Sequence, residues 1–316
     1  MGKVRIARAF APASVGNVGV GFDILGHALV AVGDTVQAAR ARPETVTLSG
    51  ITGIVTSLPD AAEQNTAGRA VQAMWETLRP GFGVTLAIEK GIPLGSGMGG
   101  SAASAVAAVV AANALLEEPL GLRELLPFAI AGEAVASGSV HVDNVAASLL
   151  GGLVFAFAGE SRQMRVRKIE VPAALRCVLV HPACEVRTRD ARQALDASVP
   201  LATVTEHCAN LAGVLLAVQN GDLGLLRESL EDVLIEPQRA HLVPGFAAVK
   251  QAALDSGALG CSLSGSGPSL FAWVEAERAQ SVADAMCAAF ENCGMGCDCW
   301  ISPIDAPGAR VTEAGK

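Results

Sequence analysis

Residues 91–100 of this chain read Gly91-Ile-Pro-Leu-Gly-Ser-Gly-Met-Gly-Gly100, and an alanine-rich stretch follows at residues 101–116. The glycines exclude regular structure in the first segment, whereas the second, which ends before Pro119 and Gly121, predicts a packed helix. Backbone N–H groups at the start of a helix, together with the helix dipole, favour bound anions. The stretch therefore predicts a shaped loop that leads into a helix and can hold a phosphate group.

Two common phosphate motifs fit this loop poorly. Gly95, Gly97 and Gly100 match the dinucleotide fingerprint, but Pro93 interrupts the approach, and the unit begins about 80 residues into the chain. A P-loop needs Gly-Lys-Ser or Gly-Lys-Thr, and the loop contains no lysine. A divalent metal ion must then share the phosphate charge, and Ser101 lies where it can face one. An ordinary helix start without a ligand remains an alternative for this segment taken alone.

The composition excludes several functional classes. The chain has 316 residues, with 23 Lys and Arg against 31 Asp and Glu, and a net charge of −8. That length suffices for two ordinary domains, and we expect two. Because no basic stripe accompanies the acidic balance, we expect no nucleic-acid partner. The longest apolar stretch, residues 102–116, is too short for a membrane span, and no apolar secretory segment follows the N-terminus, so we expect a cytoplasmic protein without a membrane partner.

The cysteines favour a structural role over metal binding. The segment Cys293-Gly-Met-Gly-Cys297-Asp-Cys299 fits no standard zinc spacing, and no histidine follows it, although a three-thiolate site is conceivable. The remaining five lie in apolar surroundings and predict small buried side chains kept reduced. These five are Cys177, Cys184, Cys208, Cys261 and Cys287.

Three other segments place polar side chains in glycine-rich or apolar surroundings. Asn17 and Asp23 lie within residues 11–26, whose proline and glycines predict a loop. Glu133 lies among apolar neighbours, where a carboxylate needs a cation or a metal. His141-Val-Asp-Asn144 follows a predicted helix and could be an ordinary helix exit, with Asn144 as the next cap. Each segment alone has a structural explanation, but together with the phosphate loop they predict one functional site.

These segments together resemble the GHMP superfamily of small-molecule kinases. Pro93-Leu-Gly-Ser-Gly-Met-Gly-Gly-Ser101-Ala-Ala is similar to the superfamily's phosphate loop, usually Pro-x-Gly-x-Gly-Leu-Gly-Ser-Ser-Ala. Ser264-Gly-Ser-Gly-Pro-Ser269 is similar to its C-terminal glycine motif. Four further segments resemble the branch of the superfamily that phosphorylates homoserine. They are Ala11-Pro-Ala-Ser-Val-Gly-Asn-Val-Gly-Val-Gly-Phe-Asp-Ile-Leu-Gly26, His141-Val-Asp-Asn-Val-Ala-Ala-Ser148, Thr188-Arg-Asp-Ala-Arg192 and Glu236-Pro-Gln-Arg239.

The chain departs from the family pattern at a few positions. Gly100 replaces the first of two serines in the phosphate loop, which removes one hydroxyl from the nucleotide site and could weaken ATP binding. Ser101, the second serine, is retained. Val15, Gly16 and Val142 are the other departures.

The resemblance implies an α+β fold of two domains. An N-terminal domain over residues 1–160, similar to the second domain of ribosomal protein S5, would bind ATP, and residues 161–316 would form a ferredoxin-like C-terminal domain. The strand and helix order expected near the C-terminus also matches a ferredoxin-like half. Homodimers are common among such kinases, so this chain could form one.

The resemblance also implies the nucleotide site. The phosphates of ATP would lie along the loop, the adenine would lie near residues 57–66, and Mg²⁺ would be held by Ser101 and Glu133. The implied ATP-binding residues are Pro93, Leu94, Gly95, Ser96, Gly97, Met98, Gly99, Gly100, Ser101 and Asn65.

The implied second substrate is L-homoserine, a zwitterion. Arg192 and Arg239 would bind its carboxylate, because guanidinium groups bind carboxylates bidentately. Asp23 and Asp143 would bind its ammonium group. The implied catalytic residues are Asn17, Asp143 and Asn144, of which the two asparagines would orient the hydroxyl, and His141 and Gly265 complete the substrate site. We expect no obligatory general base, because the proton of the hydroxyl leaves late in a loose phosphoryl-transfer transition state.

Three alternatives stay open on the sequence. A GHMP kinase for mevalonate or a sugar would share both glycine loops. A dinucleotide-dependent oxidoreductase would bind NAD. A non-catalytic relative would bind ATP without turnover, and Gly100 is the one feature that points to it.

Overall fold

The computed structural model describes residues 4–137, 141–159 and 164–315. The strands of this part are β1 (Ile6–Gly16), β2 (Leu25–Ala41), β3 (Val46–Gly53), β4 (Gly83–Lys90), β5 (Leu153–Ala158), β6 (Met164–Ile169), β7 (Leu175–Pro182), β8 (Gly260–Leu263), β9 (Leu270–Glu275), β10 (Cys297–Pro303) and β11 (Arg310–Gly315). Its α-helices are α1 (Thr66–Leu78), α2 (Gly100–Asn113), α3 (Leu126–Ser137), α4 (Val142–Leu150), α5 (Thr188–Gln193), α6 (Leu201–Asn220), α7 (Leu223–Ser229), α8 (Glu236–Arg239), α9 (Phe246–Asp255) and α10 (Ala279–Asn292).

The larger sheet carries the alanine-rich helix on one face. Its strand order is β11-β1-β2-β4-β3, and β5 pairs with both β2 and β6. Helix α2 packs against β1 and β2 on one side and against α1 and α3 on the others. Residues 102–113 of α2 are all buried, which is possible because alanine and valine let neighbouring backbones approach closely. The predicted packed helix is confirmed, although it ends at Asn113.

The smaller sheet is antiparallel and has the order β10-β7-β9-β8. Side chains alternate between its faces, as the period of a strand requires. Phe271 and Trp273 of β9 belong to the large core cluster shared with the N-terminal half. Leu270 and Ala272 belong to a second cluster under α9 and α10. The sheet is therefore buried on both faces, and the α+β prediction with a ferredoxin-like half is confirmed.

The structure corrects one local prediction and excludes one alternative. Residues 11–16 are not loop, because β1 continues through Pro12 to Gly16. The proline is accommodated at a shift in the register between Pro12 and Ser14, and such irregularities are where a strand tolerates proline. Asn144 is not a cap, because α4 begins at Val142 and His141 precedes it without a side-chain cap.

Strand pairing crosses the predicted domain division. Strand β6 pairs with β5, and β11 pairs with β1, so strands from beyond residue 160 complete the larger sheet. The division into residues 1–160 and 161–316 stays a prediction.

Helix α6 has an apolar composition and a largely exposed surface. Within the described ranges it is the one helix long and apolar enough to cross a membrane, which by itself is weak evidence for a span. Cys208 lies on the exposed side of α6, so the prediction that it is buried is wrong. Cys177 and Cys261 are buried as predicted.

Candidate functional site

The glycine loop of residues 91–99 connects the end of β4 to the start of α2. Gly95, Gly97 and Gly99 have positive φ angles of 58°, 74° and 66°, which glycine adopts without strain. A Cβ atom at Gly97 would lie 2.3 Å from the carbonyl oxygen of Ser264, so a second loop also requires glycine there. No side chain in the described part of the chain caps the start of α2. Its first N–H groups are therefore available to an anion, as the sequence predicts.

The C-terminal glycine motif packs directly on the phosphate loop. Ser264 Oγ donates to the carbonyl oxygen of Gly97 at 2.8 Å, and Ser269 Oγ donates to that of Ser96 at 2.7 Å. The carbonyl oxygen of Gly95 accepts a hydrogen bond from the backbone of Val186 at 3.0 Å. Three carbonyls of the loop thus face the C-terminal half. The two motifs that carry the family resemblance form one folded unit.

A buried ion pair that the sequence does not predict supports the loop. Lys90 is 3% exposed, forms an ion pair with Asp34, and donates to the Gly100 carbonyl oxygen and to Ser104 Oγ, each at 2.9 Å. Asp34 Oδ1 accepts from the backbone N–H groups of Gly91 and Ile92 at 3.0 and 3.2 Å. The loop itself contains no lysine, but a lysine from the preceding strand supports it. No sequence signal places Asp34, on a different strand, beside Lys90.

Position 100 is closely packed against the loop entry. A Cβ atom at Gly100 would lie 3.1 Å from Ile92 Cγ2 and 3.6 Å from Lys90 Nζ. The serine of the superfamily pattern would fit here only if Ile92 moved by a few tenths of an ångström. The small size of glycine at position 100 therefore fits the space that Ile92 leaves in this chain.

Ser14, for which the sequence motifs predict no role, orients the amide of Asn144. Ser14 is fully buried, and its Oγ donates to Asn144 Oδ1 at 2.8 Å. The backbone N–H of Ser14 donates to the carbonyl oxygen of Met98, at 3.0 Å. Asn144 Oδ1 is thereby engaged, whereas its Nδ2 has no hydrogen-bond partner among the described residues and can donate to a ligand.

Asn17 and Asp143 are linked to each other. The backbone N–H of Asn17 donates to Asp143 Oδ2 at 3.0 Å, while Asn17 Nδ2 donates to the Gly265 carbonyl oxygen at 2.7 Å. Asp143 is 1% exposed, and its Oδ1 has no hydrogen-bond partner among the described residues. Burial raises the pKa of the Asp143 carboxyl to about 6, with a further contribution from the charge of Asp23.

Glu133 has a free oxygen in a buried position, as a metal ligand would. It is 3% exposed, and His141 Nδ1 lies 3.2 Å from its Oε1. Its Oε2 is buried without a hydrogen-bond partner in the described part of the chain. Burial lowers the pKa of His141, but the hydrogen bond and charge of Glu133 and the charge of Asp143 outweigh that effect and raise the pKa overall. Oxygen ligands of this kind fit Mg²⁺, and Ser101 lines the same cavity.

Two arginines reach the cavity from the C-terminal half. Arg192 Nη2 lies 2.7 Å from Asp23 Oδ1. Arg192, which is predicted to bind the substrate carboxylate, and Asp23, which is predicted to bind the substrate ammonium group, therefore form an ion pair with each other in this structure. Arg239 is 2% exposed, and its Nε donates to the Ala191 carbonyl oxygen at 2.9 Å. It has no ion pair with any carboxylate of the described residues. Burial and the charge of Arg192 lower its pKa to about 10. A buried guanidinium without a carboxylate favours an anionic ligand.

A single cavity brings together most of the predicted site residues. Asp143 is not among the lining residues, and Asn65 is used elsewhere: its Oδ1 caps α1 by accepting from Ala67 and Gly68, and its Nδ2 donates to the Pro59 carbonyl oxygen. The cavity is lined by Asn17, Asp23, all of residues 93–101, Glu133, His141, Asn144, Arg192, Arg239 and Gly265, and also by Phe22, Lys90 and Thr188.

Two family descriptions match the chain. Residues 65–152 match "GHMP kinases N terminal domain" and residues 214–292 match "GHMP kinases C terminal". The first spans the phosphate loop, and the second spans the glycine motif that packs on it. The fold, the cavity and these matches define a GHMP kinase.

Curated relatives and solved structures narrow this class. Homoserine kinase of Xylella fastidiosa (strain 9a5c) is 50% identical over 96% of this chain and 94% of its own length, and that of Chlorobium phaeovibrioides is 43% identical over 98% and 100%. The crystal structure of homoserine kinase from Cytophaga hutchinsonii has a TM-score of 0.93 and 41% identity, covering 97% of both chains. Mevalonate kinase from L. major, at 17% identity and a TM-score of 0.70, shows the shared fold alone. This chain belongs to the homoserine kinase family, which confirms the resemblance found in its motifs.

Proposed function

We propose that this protein transfers the γ-phosphoryl group of ATP to the side-chain hydroxyl of L-homoserine, forming O-phospho-L-homoserine for threonine biosynthesis. The observation that carries the proposal is the cavity itself, whose lining combines an anion-binding helix start with two arginines and an aspartate. The helix start suits a polyphosphate, and the arginines and the aspartate suit the carboxylate and ammonium groups of an amino acid. Family membership supports the same assignment.

The nucleotide phosphates would lie along residues 95–101. The N–H groups at the start of α2 would bind them, while Lys90 and Asp34 hold that start in place. Ser101 and Glu133 would hold Mg²⁺, and the free Oε2 of Glu133 supports this. When bound, Mg²⁺ neutralises phosphate charge. Asn65, which caps α1, would fix the helix beside the predicted adenine region rather than contact the nucleotide through a free amide.

Homoserine would insert its charged groups between the arginines and Asp23. Its carboxylate would bind Arg239 and Arg192, and its ammonium group would bind Asp23, so the ligand would replace the existing ion pair of Asp23 with Arg192. Asn144 Nδ2 and Asn17 would then orient the hydroxyl oxygen. His141 would contribute through its hydrogen bond to Glu133.

The reaction forms one P–O bond to the homoserine hydroxyl oxygen and breaks the bond between the γ-phosphorus and the ADP oxygen. The hydroxyl proton is released late, so alignment and charge neutralisation carry most of the rate enhancement. Asp143 bonds to the Asn17 backbone and does not line the cavity, which supports a mechanism without an obligatory base. Asp143 would act by holding Asn17.

The location, the partners and the oligomeric state of the enzyme belong to the same proposal. We expect a cytoplasmic enzyme that acts on small molecules without a nucleic-acid or membrane partner. A homodimer is consistent with the family and can be tested by light scattering.

Phosphate transfer tests the proposal directly. The protein is incubated with ATP and L-homoserine, with and without Mg²⁺, and O-phospho-L-homoserine is measured by mass spectrometry. We expect product that requires Mg²⁺, and little product from mevalonate or galactose. Glu133→Gln should abolish transfer, whereas Glu89→Gln, which alters an exposed ion pair, should not. Absence of product from homoserine, or NAD binding in place of ATP binding, would contradict the proposal.

A further inference from the structure

The Phe22 ring contacts both arginines of the cavity. Its ring centroid is 4.8 Å from Arg192 Cζ and 5.1 Å from Arg239 Cζ. The arginines come from α5 and α8, whereas Phe22 belongs to the N-terminal half. All three side chains line the cavity that contains the phosphate loop. One aromatic ring therefore contacts both cations of the proposed carboxylate site.

Two cations this close need stabilisation while no ligand is bound. Arg239 is buried, and both burial and the charge of Arg192 disfavour its charged form. A protein carboxylate bound to Arg239 would stabilise its charged form, but it would occupy the N–H groups that a ligand needs. An aromatic face attracts a guanidinium through its quadrupole and leaves the N–H groups free. Phe22 can thus stabilise the arginines without competing for their hydrogen-bond donors.

The loop that carries Phe22 is held firmly on both sides. Asn17 Oδ1 accepts a hydrogen bond from the Asp23 backbone at 3.0 Å, and the Gly21 N–H donates to the Asn17 carbonyl oxygen at 2.8 Å. Asp23 itself binds Arg192. The backbone that carries the ring is therefore held in place, and the planes of the guanidinium groups can be set against the ring.

We propose that Phe22 is a positioning residue that sets the spacing and orientation of Arg192 and Arg239 for the carboxylate of the amino-acid substrate. This inference rests on the proposed function and assigns the recognition of the carboxylate partly to an aromatic side chain. Phe22 acts on the binding of homoserine and leaves the nucleotide end of the cavity unchanged. An alternative role, in which Phe22 only fills space, would be served equally well by an aliphatic side chain.

The test compares an aliphatic with an aromatic replacement. Phe22→Leu keeps apolar bulk but removes the π face, and should raise the KM for homoserine about tenfold because two cation–π contacts are lost. The KM for ATP and kcat should stay within about twofold. Phe22→Trp should restore the KM for homoserine to within about threefold of wild type. Phe157→Leu, on β5 and outside the cavity, is the matched control and should change neither KM.

The outcomes separate this inference from the proposed function. If the wild-type protein transfers no phosphate to homoserine, the proposed function fails, and this inference fails with it. If the wild type is active but Phe22→Leu keeps its KM for homoserine within about twofold, or raises the KM for ATP equally, this inference alone is overturned. Thermal unfolding identifies any variant that does not fold, in which case Phe22→Met replaces Phe22→Leu and carries the same expectation.

Discussion

The buried pair of Lys90 and Asp34 gives the sharpest prediction on stability. Lys90→Met removes the cation but leaves the Asp34 carboxylate, which is fully buried, with hydrogen bonds from Ser104 and two backbone N–H groups. An uncompensated buried charge costs about 3–5 kcal/mol, and we expect about 3 kcal/mol here because those three hydrogen bonds remain. Lys90→Met should therefore lower the free energy of unfolding by about 3 kcal/mol at pH 7.5.

Urea unfolding measures this change, and two further variants test its cause. Lys90→Met/Asp34→Asn removes both charges, and the side-chain amide introduced at position 34 can still accept from the loop backbone, so we expect the double variant to regain about half of the loss. Lys168→Met breaks the exposed pair with Asp305, whose side chain is 61% exposed, and should cost less than about 1 kcal/mol. The reasoning is refuted if Lys90→Met costs less than about 1 kcal/mol, or if the double variant is no more stable than the single one.

Three other predictions follow from the same structure. Arg239→Ala should raise the KM for homoserine about 100-fold with the KM for ATP unchanged, because a charged hydrogen-bond partner of the carboxylate is lost, and an unaltered KM for homoserine in steady-state assays would exclude Arg239 from the site. Burial raises the pKa of Asp143 to about 6, so the stability that its neutral form contributes is lost as the pH rises through that value. Asp143→Asn, which cannot ionise, should therefore raise the free energy of unfolding at pH 8 by about 2 kcal/mol, as measured by urea unfolding. The same variant should keep kcat within about 100-fold, whereas a loss of several orders of magnitude with intact substrate affinity would identify Asp143 as an obligatory base. Burial lowers the pKa of His27 to about 4, so at this side chain the folded protein binds fewer protons than the unfolded chain between that value and 6.5. Between pH 7.5 and pH 5, His27 should therefore contribute a loss of about 2 kcal/mol of stability, which the protonation of Asp143 over the same range partly offsets. His27 accepts from Trp273 Nε1 at 3.2 Å. Between pH 7.5 and pH 5 the unfolding free energy of His27→Gln should change relative to that of the wild type by about 2 kcal/mol in favour of the variant, and equal changes in the two proteins would show that His27 does not contribute.

Local sequence chemistry predicted the helical and glycine-rich parts of the site. Glycine adopts positive φ angles without strain, and Gly95, Gly97 and Gly99 have them. Alanine allows close packing, and the alanine run of α2 is buried. The prediction for residues 11–16 was wrong because proline and glycine rules describe an isolated segment, whereas pairing with β2 holds these residues in a strand. The placement of Asn144 within α4 has a similar cause, since tertiary packing buries nearly all of that helix.

Rules that apply to a local segment of sequence do not predict contacts between residues that are distant in the chain. Ser14 and Asn144 are 130 positions apart, and Lys90 and Asp34 are 56 apart, yet each pair is in hydrogen-bond contact. No periodicity or spacing in the chain carries that information, because each contact depends on how two elements pack.

The sequence by itself determined that a glycine loop precedes a buried helix, that the acidic chain lacks a basic stripe for nucleic acid, and that its motifs are those of one kinase family. These properties follow from backbone freedom, side-chain volume and charge, which are local. The tertiary structure alone decided that Lys90 donates to the Gly100 carbonyl oxygen, that Asp143 accepts from the Asn17 backbone, and that Phe22 contacts two arginines. Those arrangements depend on burial, which gives charge and hydrogen bonds their energetic weight and exists only once the chain has folded.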